Sequence, residues 1–349
     1  MEQRDSRPIL IIQTAFIGDT ILASAFARSV HERYPDSPIH FFLRKGNESV
    51  NIGLPFIHKT WVWDKQRGKV RSLWALIKEL RQYEFRAIFN LHRHFNSGFI
   101  TLMMRADEKI GFRQNPLSFA YSKKVEHQIP HLVEGKAWHE VQRNHQLLNA
   151  YDSGVPLELN AKKLRPALPI QPKNFEKVSV YQTRPYVVVA PASVWFTKQW
   201  EEEKYHSLVA EMSKSHQVLL IGGPDDHVLC ERVKGSSSAQ NLCGKLNLLD
   251  SAAVMKDAER VFVNDSGPLH LASSVNAKTT AIFCSTITDF GYGPLADDSI
   301  VLESHEKLEC RPCGLHGHDA CPLGHFKCSK NVLVTQLLET ISFSVVKLE

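Results

Sequence analysis

Apolar runs of strand length alternating with segments of helical period predict an α/β protein of two doubly wound domains. That alternation runs through the first half of the chain, pauses, and restarts in the second. Length agrees, since 349 residues exceed one ordinary core and suit two α/β domains. A composition of 43% hydrophobic and 23% charged residues is that of a soluble globular protein. No stretch approaches the roughly 20 apolar residues of a membrane span.

The first strand is expected at Ile9–Gln13, followed by a helix from about Asp19 to Tyr34 with Ile21, Leu22, Ala25, Phe26 and Val30 on one face. A strand at Ile39–Leu43, a helix at Val70–Gln82, a strand at Ala87–Leu91 and a helix around His139–Tyr151 complete this half. The stretch Gly154–Pro185 contains Pro156, Pro166, Pro169 and Pro172 and reads as a linker with room for an edge strand. Two Rossmann-like domains are therefore expected over residues 1–165 and 166–349. In the second, Tyr186–Ala190, Gln217–Ile221, Arg260–Val263 and Thr279–Phe283 read as strands, with helices at Glu202–His216 and from about Pro268 to Val275. Such a pair would face a cleft at the carboxyl ends of its strands, where these folds bind ligands. The polar start, Met1–Pro8, runs straight into Ile9–Ile12 without the pattern of a secretory signal, which predicts a cytoplasmic address and reduced thiols.

Charge is unevenly divided. Residues 1–150 carry 22 Lys and Arg against 14 Asp and Glu, whereas residues 151–349 carry 20 against 23. The basic half reads either as a solvated face or as a surface for something negative, and no nucleic-acid signature accompanies it.

Four post-strand segments carry the candidate chemistry. In Gln13–Thr20, Gly18 permits a tight turn and Asp19 sits at the helix start, either as a cap or as a general base kept ionised by the helix dipole. The loop lacks the further glycines of a dinucleotide fingerprint, which argues against a nicotinamide enzyme. In Asn264–Ala272, a strand ends in Asp265-Ser266-Gly267, Pro268 fits the first helical position, and the free N–H groups suit phosphate oxygens. His270 lies one turn on, either as a phosphate donor or as a partly buried histidine. Lys198, flanked by Ser193, Thr197 and aromatic residues, reads as the neutraliser of a leaving pyrophosphate or as an exposed loop lysine. Asp226, after Gly222-Gly223, reads as a ribose contact or a plain turn residue. Near the end, Cys310, Cys313, Cys321 and Cys328 fall within nineteen residues, and the Cys-x-x-Cys start suggests structural zinc, with buried thiols or a redox pair as alternatives.

Taken together, Thr14–Thr20 with its Gly-Asp, the Thr197-Lys198-x-Trp200 loop and Asp265-Ser266-Gly267-x-x-His270 resemble the family-nine glycosyltransferases, the lipopolysaccharide heptosyltransferases. Cys310-x-Pro-Cys313 with Cys321-Pro-Leu-Gly-His325 is similar to their second subgroup. The resemblance spans residues 8 to about 330 and implies a GT-B fold, with the anionic lipopolysaccharide core acceptor on the first domain and an ADP-sugar on the second. It implies inverting transfer with no catalytic cofactor or metal. Asp19 would be the base, Lys198 and Ser266–Gly267 would meet the diphosphate, His270 would support it, and Asp226 would contact the ribose. Ser266 stands where some members have Thr, which retains the hydroxyl. Peripheral contact with the inner face of the cytoplasmic membrane is compatible with such an acceptor. Rivals are a transferase for another nucleotide sugar or glycan, a non-catalytic nucleotide-binding scaffold, and a zinc hydrolase, for which no open three-ligand site is visible.

Overall fold

In the computed structural model, which describes residues 5–66, 68–129 and 137–345, strand β1 (Ile9–Gln13) is buried at all five positions. A continuous apolar run of this kind suits a parallel strand covered on both faces. Its alternate residues feed two cores. Ile9 and Ile11 pack with Phe26 and Val30 of helix α1 (Ile17–Arg33) and with Leu147 and Leu148 far along the chain. Leu10 and Ile12 turn to the opposite face, toward Leu73, Ile77, Leu80 and Ile100. One strand thereby ties three layers together.

The chain divides into two compact units, Met1–Pro169 and Ile170–Glu349. In the first, β1 and α1 are followed by β2 (Ile39–Arg44), β3 (Ile57–Trp63), α2 (Lys69–Leu80), β4 (Glu84–Asn90), α3 (Phe95–Met103), β5 (Arg105–Phe112), β6 (Lys123–Val125) and α4 (Glu140–Tyr151). The strands form one parallel sheet in the order β3-β2-β1-β4-β5-β6, with Ile9 opposite Ile39 on one side and Ala87 on the other.

The second unit runs through α5 (Pro172–Val178), β7 (Tyr186–Ala190), α6 (Glu202–Met212), β8 (Gln217–Leu220), α7 (His227–Lys234), β9 (Gln240–Asn241), α8 (Leu248–Lys256), β10 (Arg260–Asn264), α9 (Gly267–Ser274), β11 (Thr279–Phe283), β12 (Ser299–Glu303), α10 (Lys327–Lys330) and α11 (Val334–Val345). Its parallel sheet has the order β12-β11-β10-β7-β8-β9, the same winding as the first. Val187 and Val189 of β7 share a core with Leu208 and Val209 of α6, Val233 of α7 and Leu337 of α11. The expectation of an α/β chain with two Rossmann-like, doubly wound sheets of the GT-B kind is met in each unit. Among the described residues no helix is long and apolar enough to cross a membrane.

The structure departs from the sequence reading in three places. Helix α1 begins at Ile17, two residues before the expected start, and is buried beyond the expected stripe, at Thr20, Ala23, Ser24 and Ala27 as well. The stretch 154–185 holds no strand among its described residues. It forms a short 3-10 turn at Ala161–Leu164 and then α5, where Pro172 supplies the preset φ of a first helical residue. The Asn174 amide and the Lys177 ammonium of α5 both bond Asp250 of α8, so this segment is packed rather than a free linker. Strands β3, β5, β6, β9 and β12 were not marked by the alternation: polar residues interrupt the apolar ones in β3 and β5, β6 and β9 hold one apolar residue between them, and the apolar run of β12 is only three residues long.

Candidate functional site

In each sheet the strand order reverses at one point, between β1 and β4 in the first unit and between β7 and β10 in the second. The carboxyl ends of strands at such a reversal leave a crevice, which is where open α/β sheets bind ligands. In the second unit, Asn264 at the end of β10 organises this point. Fully buried, it donates to the Pro191 carbonyl after β7 (2.8 Å) and accepts from the Trp200 amide (3.1 Å) and the Tyr205 hydroxyl (2.9 Å). One side chain thus fastens the turn that carries Thr197 and Lys198.

Lys198 closes a short 3-10 turn, Phe196–Lys198, and its ammonium lies 2.6 Å from the Asp265 carboxylate. The same Asp265 oxygen accepts from the Thr286 hydroxyl (2.6 Å). Asp265 directly precedes Ser266, the N-cap of α9; the Leu269 amide already bonds the Ser266 carbonyl (3.0 Å) and Pro268 has no N–H, so the Ser266 and Gly267 amides are the ones outside the helical ladder. An anion arriving there meets a helix dipole, N–H donors and an ammonium that can leave Asp265 for it. Pro268 is the second helical residue rather than the first, a position whose N–H is also outside the helical ladder. The Ser266 hydroxyl donates weakly to the Asn264 carbonyl (3.4 Å), and His270 is buried at the fourth helical position, 6.2 Å from the Tyr292 ring. Thr197 is buried, and Ser193 is half-buried with its carbonyl accepting from Gln199. Asp226 ends a turn after β8 and folds one carboxylate oxygen back onto the Gly223 amide (2.8 Å). That bond is what the turn reading of Asp226 expects.

The cysteine segment lies against this turn. His318 exchanges two hydrogen bonds with Thr197, amide to hydroxyl at 2.8 Å and carbonyl from amide at 3.0 Å. Cys310, Cys313, Cys321 and Cys328 line one cavity of about 260 Å³ with Thr197, Ser285, His325 and Phe326. The expected zinc set is not supported. Among the described residues no group of three or more His, Cys, Asp or Glu is arranged to hold a metal ion. Cys328 packs instead into the apolar core of the second unit, where burial pushes its thiol up to about 11, and burial likewise raises Cys313. The alternative of a buried thiol fits Cys328 alone, since Cys310, Cys313 and Cys321 are only partly buried.

In the first unit Asp19 is the third residue of α1, half-buried in its first turn, and the helix cap is Phe16. Gly18 is helical and is not among the glycines with positive φ, so no tight turn depends on it. Next to this turn is a polar group the sequence reading did not single out. The Thr14 hydroxyl meets His92 Nδ1 (2.9 Å), and Lys65 donates to the Thr14 carbonyl (2.8 Å). Burial, with His94, Lys65 and Arg93 nearby, pushes His92 down to about 3, so the ring is neutral at physiological pH. The signal available in the sequence was His92-Arg93-His94 just past an apolar strand, a cluster of polar rings where β4 ends.

Comparison with known proteins follows from this geometry. The model of glycosyltransferase family 9 (heptosyltransferase) matches residues 73–318, well over half the chain and inclusive of Lys198, Asp265 and His270. The chain is 23% identical to lipooligosaccharide heptosyltransferase 2 of Campylobacter jejuni over 339 residues, 95% of this chain and 96% of that one. Among solved structures, a family 9 glycosyl transferase from Veillonella parvula superposes with a TM-score of 0.82 at 18% identity, covering 99% of both chains. The Escherichia coli ADP-heptose lipopolysaccharide heptosyltransferase II does so with a TM-score of 0.78 at 19% identity, covering 97% of this chain and 99% of that one. The structural likenesses show a shared fold.

Proposed function

The chain belongs to glycosyltransferase family 9, and on that premise we propose that it moves heptose from ADP-heptose to the inner core of lipopolysaccharide, with inversion and without a catalytic metal. The observation that carries the reading is the Lys198–Asp265 pair at the strand-order reversal of the second sheet. An ammonium held just ahead of a helix N-terminus is what a departing diphosphate needs. The heptosyltransferase names of relatives matching nearly end to end support the choice of sugar and donor.

In the proposed reaction the acceptor hydroxyl oxygen bonds the anomeric carbon while the bond from that carbon to the ADP oxygen breaks. The bonding pair leaves with ADP, and the hydroxyl proton passes to Asp19. Lys198, the first N–H groups of α9 and the Ser266 hydroxyl meet the charge growing on the diphosphate, with Gly267 leaving room for close approach. His270 supports the same phosphates, Asp226 takes ribose hydroxyls, and Ser193 and Thr197 line the donor site. The first unit binds the anionic acceptor, consistent with the 22-to-14 excess of basic residues in its first 150 positions. A lipid-linked acceptor would bring the protein to the inner face of the cytoplasmic membrane as a peripheral visitor. The acceptor and donor domains of this scheme, expected at residues 1–165 and 166–349, correspond to the units Met1–Pro169 and Ile170–Glu349.

The test is ADP release from ADP-heptose with heptose-deficient lipopolysaccharide, in EDTA, for wild type and Asp19→Asn. Acceptor-dependent release that falls about 10²- to 10⁴-fold in the variant is expected for loss of a general base. Turnover of a different sugar nucleotide alone would replace heptose while keeping the transferase. ADP binding with no turnover of any donor would favour a scaffold.

A further inference from the structure

We propose that Arg311 is a positioning residue for Lys198, acting through the segment 283–286 and Asp265. Its importance for transfer rests on the donor-site reading above. Arg311 is well covered, with 11% of its side chain exposed. Its Nε donates to the Cys284 carbonyl (2.7 Å), and its Nη2 to the carbonyls of Phe283 (3.2 Å) and Thr286 (2.8 Å). Glu303 closes the fan at 2.6 Å. These carbonyls lie where β11 ends and its ladder can no longer satisfy them. A guanidinium offers several donors in a fixed plane, which a lysine ammonium on a flexible stem cannot reproduce.

The segment so fixed reaches the site by two routes. Thr286 donates its hydroxyl to the Asp265 oxygen that holds Lys198, at 2.6 Å on each side. Ser285 donates its amide to the Thr197 carbonyl (3.3 Å) and accepts from the Cys313 amide (2.8 Å). Arg311 therefore sets where Thr286 stands, Thr286 sets the Asp265 carboxylate, and Asp265 sets the ammonium. A misplacement of about 1 Å in such a chain can cost on the order of 10²-fold in rate.

The experiment uses the full chain as wild type, Arg311→Lys, Thr286→Val, Thr286→Ser and the double variant Arg311→Lys/Thr286→Val. Lys198 is acetylated with an N-hydroxysuccinimide ester and its rate is read by peptide mass spectrometry against Lys214, which is 70% exposed. The same proteins are assayed for kcat/KM with ADP-heptose. Arg311→Lys and Thr286→Val are each expected to speed Lys198 acetylation several-fold and to lower kcat/KM about 10- to 100-fold. Thr286→Ser should behave as wild type, and the double variant should be no worse than the worse single. Lys198 labelling unchanged in folded Arg311→Lys, or losses that multiply in the double variant, would overturn the proposal. Should Arg311→Lys not fold, Glu303→Gln is expected to shift labelling in the same direction by less, and no shift there overturns it equally. Acetylation needs no donor. A chain that labels as expected but never turns over ADP-heptose therefore removes the heptose reading and leaves the Arg311 assignment intact.

Discussion

Removing the Lys198 ammonium would strand the Asp265 carboxylate, whose side chain is 7% exposed, beside the Thr286 hydroxyl. Breaking a fully buried pair costs about 3–5 kcal/mol, and the 16% exposure of Lys198 places this one nearer about 2–3 kcal/mol. Lys198→Met should therefore lower the urea midpoint, and adding Asp265→Asn should restore most of it without restoring turnover. A stability loss that the second change leaves untouched would mean the pair is not coupled as drawn. Asp265, Ser266 and Lys198 were legible in the sequence because each follows an apolar strand within a few residues, so local order alone brings them to the strand ends. Thr286 and Arg311 were not, whereas His92, two residues past β4, carried the same signal and was passed over. Thr286 reaches Asp265 across 21 residues, and Arg311 reaches Cys284 across 27, so their roles exist only once the chain is folded. Asp19 was read at the helix start as either a cap or a general base; the extended Phe16 takes the cap position, and Asp19 stands three residues further on, in the first turn.

The loop between β12 and α10 shows what one element contributes to another. Gly317 has φ +79°, and a Cβ there would sit 2.9 Å from the Thr197 hydroxyl oxygen, 3.2 Å from that of Ser285 and 3.3 Å from Lys198 Cγ. Gly324 in the same loop has φ +70° but nothing within 4 Å. Both alanine substitutions pay the left-handed backbone penalty of about 1–2 kcal/mol. Gly317→Ala alone is expected to displace the Thr197–Lys198 turn, lowering kcat/KM about tenfold or more, whereas Gly324→Ala keeps it near wild type. Equal kinetics in the two variants would show that the turn tolerates the loop's movement. The cysteine spacing marked this loop as important but could not say why. Its amides and carbonyls, rather than its thiols, make the contacts with Thr197 and Ser285. The misread linker has a similar cause, since its prolines mask a helix that is held by Asp250 from another part of the chain.

On the scale of the whole molecule, the two units are expected to differ in their response to acid. Burial, first among the causes, lowers His40 to about 4 and His92 to about 3, and also lowers His127 and His145, all in the first unit. In the unfolded chain these rings titrate near their ordinary value of 6.5. Above about pH 6.5 they are neutral in both states and contribute no slope. As pH falls below that, the unfolded state takes up protons that the folded unit refuses, and stability drops by up to about 1.4 kcal/mol per pH unit for each ring down to the folded value. Pulse proteolysis in urea at about pH 7.5 and about pH 5 should therefore show the first unit's midpoint falling more than the second's. Parallel shifts would mean the histidines are accessible to protons when folded. The doubly wound class, by contrast, was legible from the seven apolar strands and the helices between them, because central parallel strands buried on both faces read as apolar runs, while the outer strands β3, β6, β9 and β12, together with β5, escaped that signal.

The identical winding of the two sheets has a further consequence. Among the described residues, strands β1–β6 pair with one another and β7–β12 with one another, and neither half lends a strand to the other. A crossover between two related genes near codon 169 would break no strand pairing in either parental sheet. A recombinant joined there would inherit each sheet with its strand order whole.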